Sequence, residues 1–130
     1  MNGSISPMKK RVLDVGNCSP DHEAIRRLIE EQFEAEVAQA HGWNDAAEQL
    51  GRQSFDLVLV NRLLDRDGRE GLEIIRHIKS DERLRAIPVM LVTNYEEHQQ
   101  QAVEAGALPG FGKRSIREPE TVEKLRTLLD

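Results

Sequence analysis

Two runs in this chain, Leu57-Val58-Leu59-Val60 and Val89-Met90-Leu91-Val92, are apolar at every position. A strand with one wet face alternates apolar and polar residues. A strand that is apolar throughout must be covered on both faces, as happens inside a parallel sheet with helices on either side. Much of the remaining reading follows from that requirement, because parallel neighbours need crossover connections, and these are normally helical.

The segments between the apolar runs supply the crossovers. Val12-Leu13-Asp14-Val15 is a short β-branched run closed by Gly16-Asn17. Ser19-Pro20-Asp21 then reads as a helix start, with Ser19 as cap, Pro20 at the first position and acids near the positive end of the dipole. Ile25, Leu28, Ile29 and Phe33 recur at helical spacing, which predicts a helix over 20–33. Residues 35–40 form a weaker strand around Val37. Trp43, Ala46, Ala47 and Leu50 mark a second helix ending near Gly51, with Trp43 a core contact. Gly71, Ile74, Ile75 and Ile78 mark a third. Asn94 is the expected cap of a fourth, which Gly106 ends. Residues 108–112 make a poor strand, since Pro109 donates nothing to a ladder, so it belongs at a sheet edge. Pro119 opens a last helix lined by Val122, Leu125, Leu128 and Leu129.

Five strands alternating with five helices predict an α/β fold. It is a flavodoxin-like (βα)5 three-layer sandwich whose five-stranded parallel sheet has the order 2-1-3-4-5. At 130 residues the chain fits one domain. Residues 9–130 form it, preceded by a small, polar and disordered segment, 1–8. The formal net charge is −5. That argues against a nucleic-acid binder and against an anionic membrane surface, both of which need a basic stripe. No apolar run approaches the ~20 residues of a membrane span, and no secretory signal opens the chain. The single cysteine, Cys18, cannot close an internal disulfide, consistent with a cytoplasmic protein.

Ligands of open parallel sheets bind beyond the carboxyl ends of the strands. Those ends are Gly16 and Asn17, Asn61, Thr93 and Lys113. Here the chain resembles the receiver domain of two-component response regulators over 9–130, through KRVLDVGNCSPDHEAIRRLIE, SFDLVLVNR, EGLEIIRHIKS, IPVMLVTN and EAGALPGFGK. The resemblance implies a magnesium ion held by two acidic residues after the first strand, and a phosphoryl group accepted from a histidine kinase by an aspartate ending the third. A Ser or Thr after the fourth strand contacts that group, and a lysine after the fifth neutralises it. Thr93 and Lys113 keep those types. The acidic pair is replaced by Gly16 and Asn17, and the acceptor by Asn61. Gly110 stands where the family usually has an aromatic residue, and Arg114 where it usually has proline. The loop after Asn61 is about two residues longer than the family pattern.

These replacements point to a degenerate receiver. Magnesium dehydrates reluctantly and is usually held through carboxylates, and an amide is no nucleophile at neutral pH. The expectation is a non-enzymatic pseudo-receiver that has lost magnesium binding, needs no cofactor, and signals through phosphorylation-independent protein contacts. The resemblance implies a partner such as a histidine kinase or an output protein, and homodimerisation through the fourth helix, fifth strand and fifth helix. Two alternatives stand beside this reading. One is a phosphorelay receiver phosphorylated at a non-standard residue. The other is a small-anion sensor using the vestigial pocket of Gly16, Asn17, Asn61, Thr93 and Lys113, against which Lys113 could instead close the pocket on Asp14 or a loop acid.

Other residues have plainer readings. Asp65 lies four residues past Asn61, up to roughly 13 Å of extended chain, and Asp67 lacks the spaced partners of a calcium loop. A solvated turn is expected there. Asp14 interrupts a covered strand, where an unpaired carboxylate is costly. It either sits where burial ends or pairs with a basic neighbour. Cys18 reads as inert rather than redox-active. His22, His41, His77 and His98 have no zinc spacing.

Overall fold

Short apolar runs and amphipathic segments alternate along the chain because each strand must be covered by the helices before and after it. The computed structural model describes residues 9–130, so the expected disorder of 1–8 concerns positions outside the described residues. The strands are β1 (Lys10–Val15), β2 (Ala35–Ala40), β3 (Leu57–Asn61), β4 (Val89–Val92) and β5 (Leu108–Phe111). The helices are α1 (Ser19–Gln32), α2 (Trp43–Arg52), α3 (Gly71–Ser80), α4 (Glu96–Glu104) and α5 (Pro119–Leu129). All paired strands run parallel, in the order β2-β1-β3-β4-β5.

Alternation along the strands builds two cores. Leu13, Val15, Val58, Val60, Val89 and Leu91 face α2, α3 and α4, where they meet Leu50, Ile74, Ile75, Ile78 and Ala102. Val12, Leu57, Leu59, Met90 and Val92 face the other way, against Ile25, Leu28 and Ile29 of α1 and Leu125 and Leu129 of α5. The apolar residues of β3 and all of β4 are buried on both faces, as continuous apolar runs require.

The edges are managed separately. Glu30 of α1 accepts from the Val37 N–H, and Gln49 of α2 donates to the Gln39 carbonyl. Side chains thus occupy part of the open ladder of β2 that would otherwise recruit another strand. At the opposite rim β5 is short, carries Pro109, and pairs with β4 through a register shift between Met90 and Val92.

Some local expectations change. Ser19 and Asn94 are not caps. Cys18 and Tyr95 hold the cap positions of α1 and α4 without side-chain capping bonds. The Asn94 carboxamide instead accepts from the Arg114 N–H at 3.1 Å, tying the loop after β4 to the one after β5. Trp43 is partly buried against the core and stacks on His77, centroids 4.8 Å apart.

Candidate functional site

The carboxyl ends of β1, β3, β4 and β5 bring the residues singled out from the sequence to one end of the sheet. Gly16 turns the chain with φ of +81°, a left-handed conformation that side chains rarely adopt. A Cβ there would stand 2.5 Å from Leu64 Cδ2. An acidic side chain at position 16 would strain this backbone conformation and require Leu64 to shift.

Asn17 is fully buried and turned beneath the site. Its Nδ2 donates to Asp14 Oδ1 at 2.6 Å, and its Oδ1 has no partner among the described residues. Asp14, also fully buried, holds His22 Nδ1 of α1 at 2.7 Å through its other oxygen. The basic neighbour that a buried carboxylate demands is thus a histidine eight residues on.

Asn61 spends both amide hydrogens on backbone carbonyls, donating to Gly16 at 3.1 Å and to Leu63 at 2.7 Å. Thr93 is buried, and its Oγ1 accepts from the Tyr95 N–H at 3.3 Å. Lys113 Nζ lies 2.8 Å from Asp21 Oδ2, to which the Cys18 thiol also donates at 3.3 Å. The hydrogen bond from Lys113 is the main cause of an Asp21 carboxyl held below its ordinary range, against the opposing effect of burial. The lysine is therefore closed by an acid of the first turn of α1, and not by Asp14 or a loop acid.

Asn61, Thr93 and Lys113 line one hollow of about 200 Å³ with Arg62, Leu63, Asn94 and Tyr95. Gly16 does not line it and is joined to it only through the carbonyl that accepts from Asn61. Asn17 is directed away, toward Asp14. The set contributes no carboxylate: the two nearby acids, Asp14 and Asp21, are committed to His22 and Lys113.

Behind the hollow, Gln99 of α4 does what no expectation assigned to it. Its Nε2 donates to the carbonyls of Leu91 at 2.9 Å and Thr93 at 3.3 Å, and its Oε1 accepts from the Gly110 N–H at 2.9 Å. One side chain pins α4 to both β4 and β5. A Cβ on Gly110 would collide with the Leu91 carbonyl oxygen, so no larger residue fits this position. Asp65 lies in the expected exposed turn, its carboxylate 3.0 Å from His41 Nδ1. Asp67 lies in the same turn, accepting from the Arg69 N–H. Cys18 is exposed.

His22, Asp21 and Gln99 were missed from the sequence. The helical phase could have indicated the first two, since His22 and Asp21 lie three and four residues before the buried Ile25 and share its face.

A parallel sheet of this order, with its loops gathered around a strand-end lysine and threonine, defines a receiver-type architecture. The family model described as response regulator receiver domain matches residues 20–126. The chain belongs to the response regulator receiver domain family. It is 30% identical over 102 residues to the phosphate regulon transcriptional regulatory protein PhoB of Escherichia coli, covering 77% of this chain and 43% of that protein. The chain thus spans less than half the length of that relative. It is 27% identical over 95 residues to the chemotaxis protein CheY of Pseudomonas aeruginosa, covering 73% and 74% of the two chains. Among solved structures, the signal receiver domain of a DNA binding response regulator from Colwellia psychrerythraea superposes with a TM-score of 0.80 at 21% identity, covering 92% of this chain and 98% of that one. A response regulator structure from Chloroflexus aurantiacus gives 0.82 at 18% identity, covering 93% and 98%. These two likenesses speak for the fold alone.

Proposed function

We propose that this receiver domain is a pseudo-receiver. It acts in two-component signalling by binding a protein partner, without phosphorylation at position 61 and without catalysis of its own. The observation that carries the reading is Asn61, whose amide hydrogens bridge the Gly16 and Leu63 carbonyls across the place where the family has its acceptor carboxylate. A hard divalent cation needs negative oxygens. The residues at this position offer only neutral amide, hydroxyl and carbonyl oxygens beside an ammonium group already paired with Asp21, and that set does not fit magnesium.

The same closure weighs against the pocket as an anion site, since Asn61 has spent both amide hydrogens internally and the charge of Lys113 is already met by Asp21. Gln99 and Gly110 add a second reason for insensitivity to phosphorylation. The family's aromatic position is a glycine that cannot be enlarged, and α4 is fastened to β4 and β5 by hydrogen bonds. The domain is then a fixed surface, expected in the reducing interior of the cell, and a homodimer through α4, β5 and α5 remains one form its contacts can take.

Magnesium titration followed by amide NMR tests the reading. The reading predicts no saturable shift at residues 16, 17, 61 or 93 at millimolar metal. Saturable shifts confined to those residues would contradict it.

A further inference from the structure

Large apolar side chains reach solvent at few points among the described residues: Leu63, Tyr95, Val103 and Leu108. Tyr95, the most exposed at 53%, and Leu63, at 39%, line the same hollow over Asn61. Arg62 lines it too and makes no ion pair among the described residues. Arg114 follows Lys113 and lines the adjoining hollow that shares Thr93 and Asn94, its N–H bonded to Asn94, and its guanidinium is likewise without a carboxylate among the described residues.

The charge around this mouth runs against that of the whole molecule. The chain carries a net charge of −5, yet the hollow is lined by two cations, Arg62 and Lys113, and by no carboxylate. Lys113 is paired with Asp21, and Arg62 is not paired among the described residues. Tyrosine and arginine around a small apolar hollow are the residue types that anchor protein interfaces. The other exposed pair, Val103 and Leu108, lies beside Gln100, Gln101 and Glu104 and has no comparable cationic rim.

We infer that the mouth above Asn61 docks an acidic segment of a partner protein bearing an aliphatic or aromatic side chain. That side chain seats between Leu63 and Tyr95, and flanking carboxylates reach Arg62 and Arg114. The inference rests on the partner-binding function proposed above and names the surface and the chemistry it selects.

The test is selection of a random twelve-residue peptide library displayed on phage against the intact chain, followed by binding of the enriched synthetic peptides to variants. Expected are peptides that combine Asp or Glu with Leu, Ile or Phe. Their affinity should fall about tenfold or more in Tyr95→Ser and in Arg62→Glu, and stay unchanged in the double variant Val103→Ser/Leu108→Ser. No enrichment, enrichment of basic peptides, or binding that survives Arg62→Glu and Tyr95→Ser would overturn the inference. Each of those failures leaves the phosphorylation-independent reading standing, since that reading falls on magnesium or phosphoryl uptake instead.

Discussion

Lys113 Nζ stands 2.8 Å from Asp21 Oδ2, so the one ammonium group directed toward the site is neutralised from within the chain. In the family the corresponding lysine answers the charge of a phosphoryl group. Here an α1 carboxylate meets the lysine's charge, and the hollow beside the pair is lined by Asn61 and Thr93, whose side chains are hydrogen-bonded within the chain, and by Arg62.

Replacing Asp21 by Asn should free Lys113. Both side chains are about one-third exposed, so the stability change is small, under about 1 kcal/mol. The telling result is binding: inorganic phosphate should shift the Lys113 and Thr93 amides in Asp21→Asn and leave the parent unaffected. The pH dependence has a definite sign. A carboxyl whose folded pKa lies below its unfolded value stabilises the fold above the unfolded pKa, about 3.9, and that stabilisation is lost as pH falls through the folded value. Acid unfolding of Asp21→Asn should therefore show less loss below about pH 4 than the parent, as followed by circular dichroism.

The pair of Asp14 and His22 predicts a larger effect. Asp14 is fully buried, and its side-chain partners among the described residues are the Asn17 amide at 2.6 Å and His22 Nδ1 at 2.7 Å. His22→Ala should cost about 3–5 kcal/mol by urea denaturation, because it strands a buried carboxylate. The double variant Asp14→Val/His22→Leu should recover only part of that loss, since it removes the stranded carboxylate but leaves the buried Asn17 amide without its acceptor.

Gln99 offers a test of the fastened α4. Gln99→Leu strands the Gly110 N–H and two carbonyls. It should destabilise by about 1–3 kcal/mol and speed hydrogen exchange at Gly110 and in α4. Gly110→Ala should be at least as harmful, because its methyl group meets the Leu91 carbonyl.

Asn61→Asp would turn two donated hydrogen bonds into a carboxylate facing two carbonyl oxygens. Without metal it should lose about 2 kcal/mol. Adding Asn17→Asp, whose side chain faces Asp14 and not the hollow, sets two buried carboxyl groups against each other and should lower thermal stability further, with or without magnesium.

The fold was legible because binary pattern and turn chemistry agree. β3 and β4 are apolar throughout and central, while Pro109 and the glycines put β5 at the rim. The placement of residues 16, 17 and 61 just beyond or at strand ends was legible for the same reason, as strand ends are easily placed. What escaped was pairing across elements. The rotation of α1 over β1 decides that His22 meets Asp14 and Asp21 meets Lys113, and single-helix patterning shows only that both residues share a face with Ile25. Gln99 escaped because nothing local distinguishes it from Gln100 and Gln101. Its role appears only when β4, β5 and α4 close around it.

The most direct measurement is intact mass of the purified chain after incubation with acetyl phosphate and magnesium, beside a relative that retains its acidic residues. The chain should keep its original mass while the relative gains one labile phosphoryl group. A stoichiometric acyl phosphate on this chain would contradict the account.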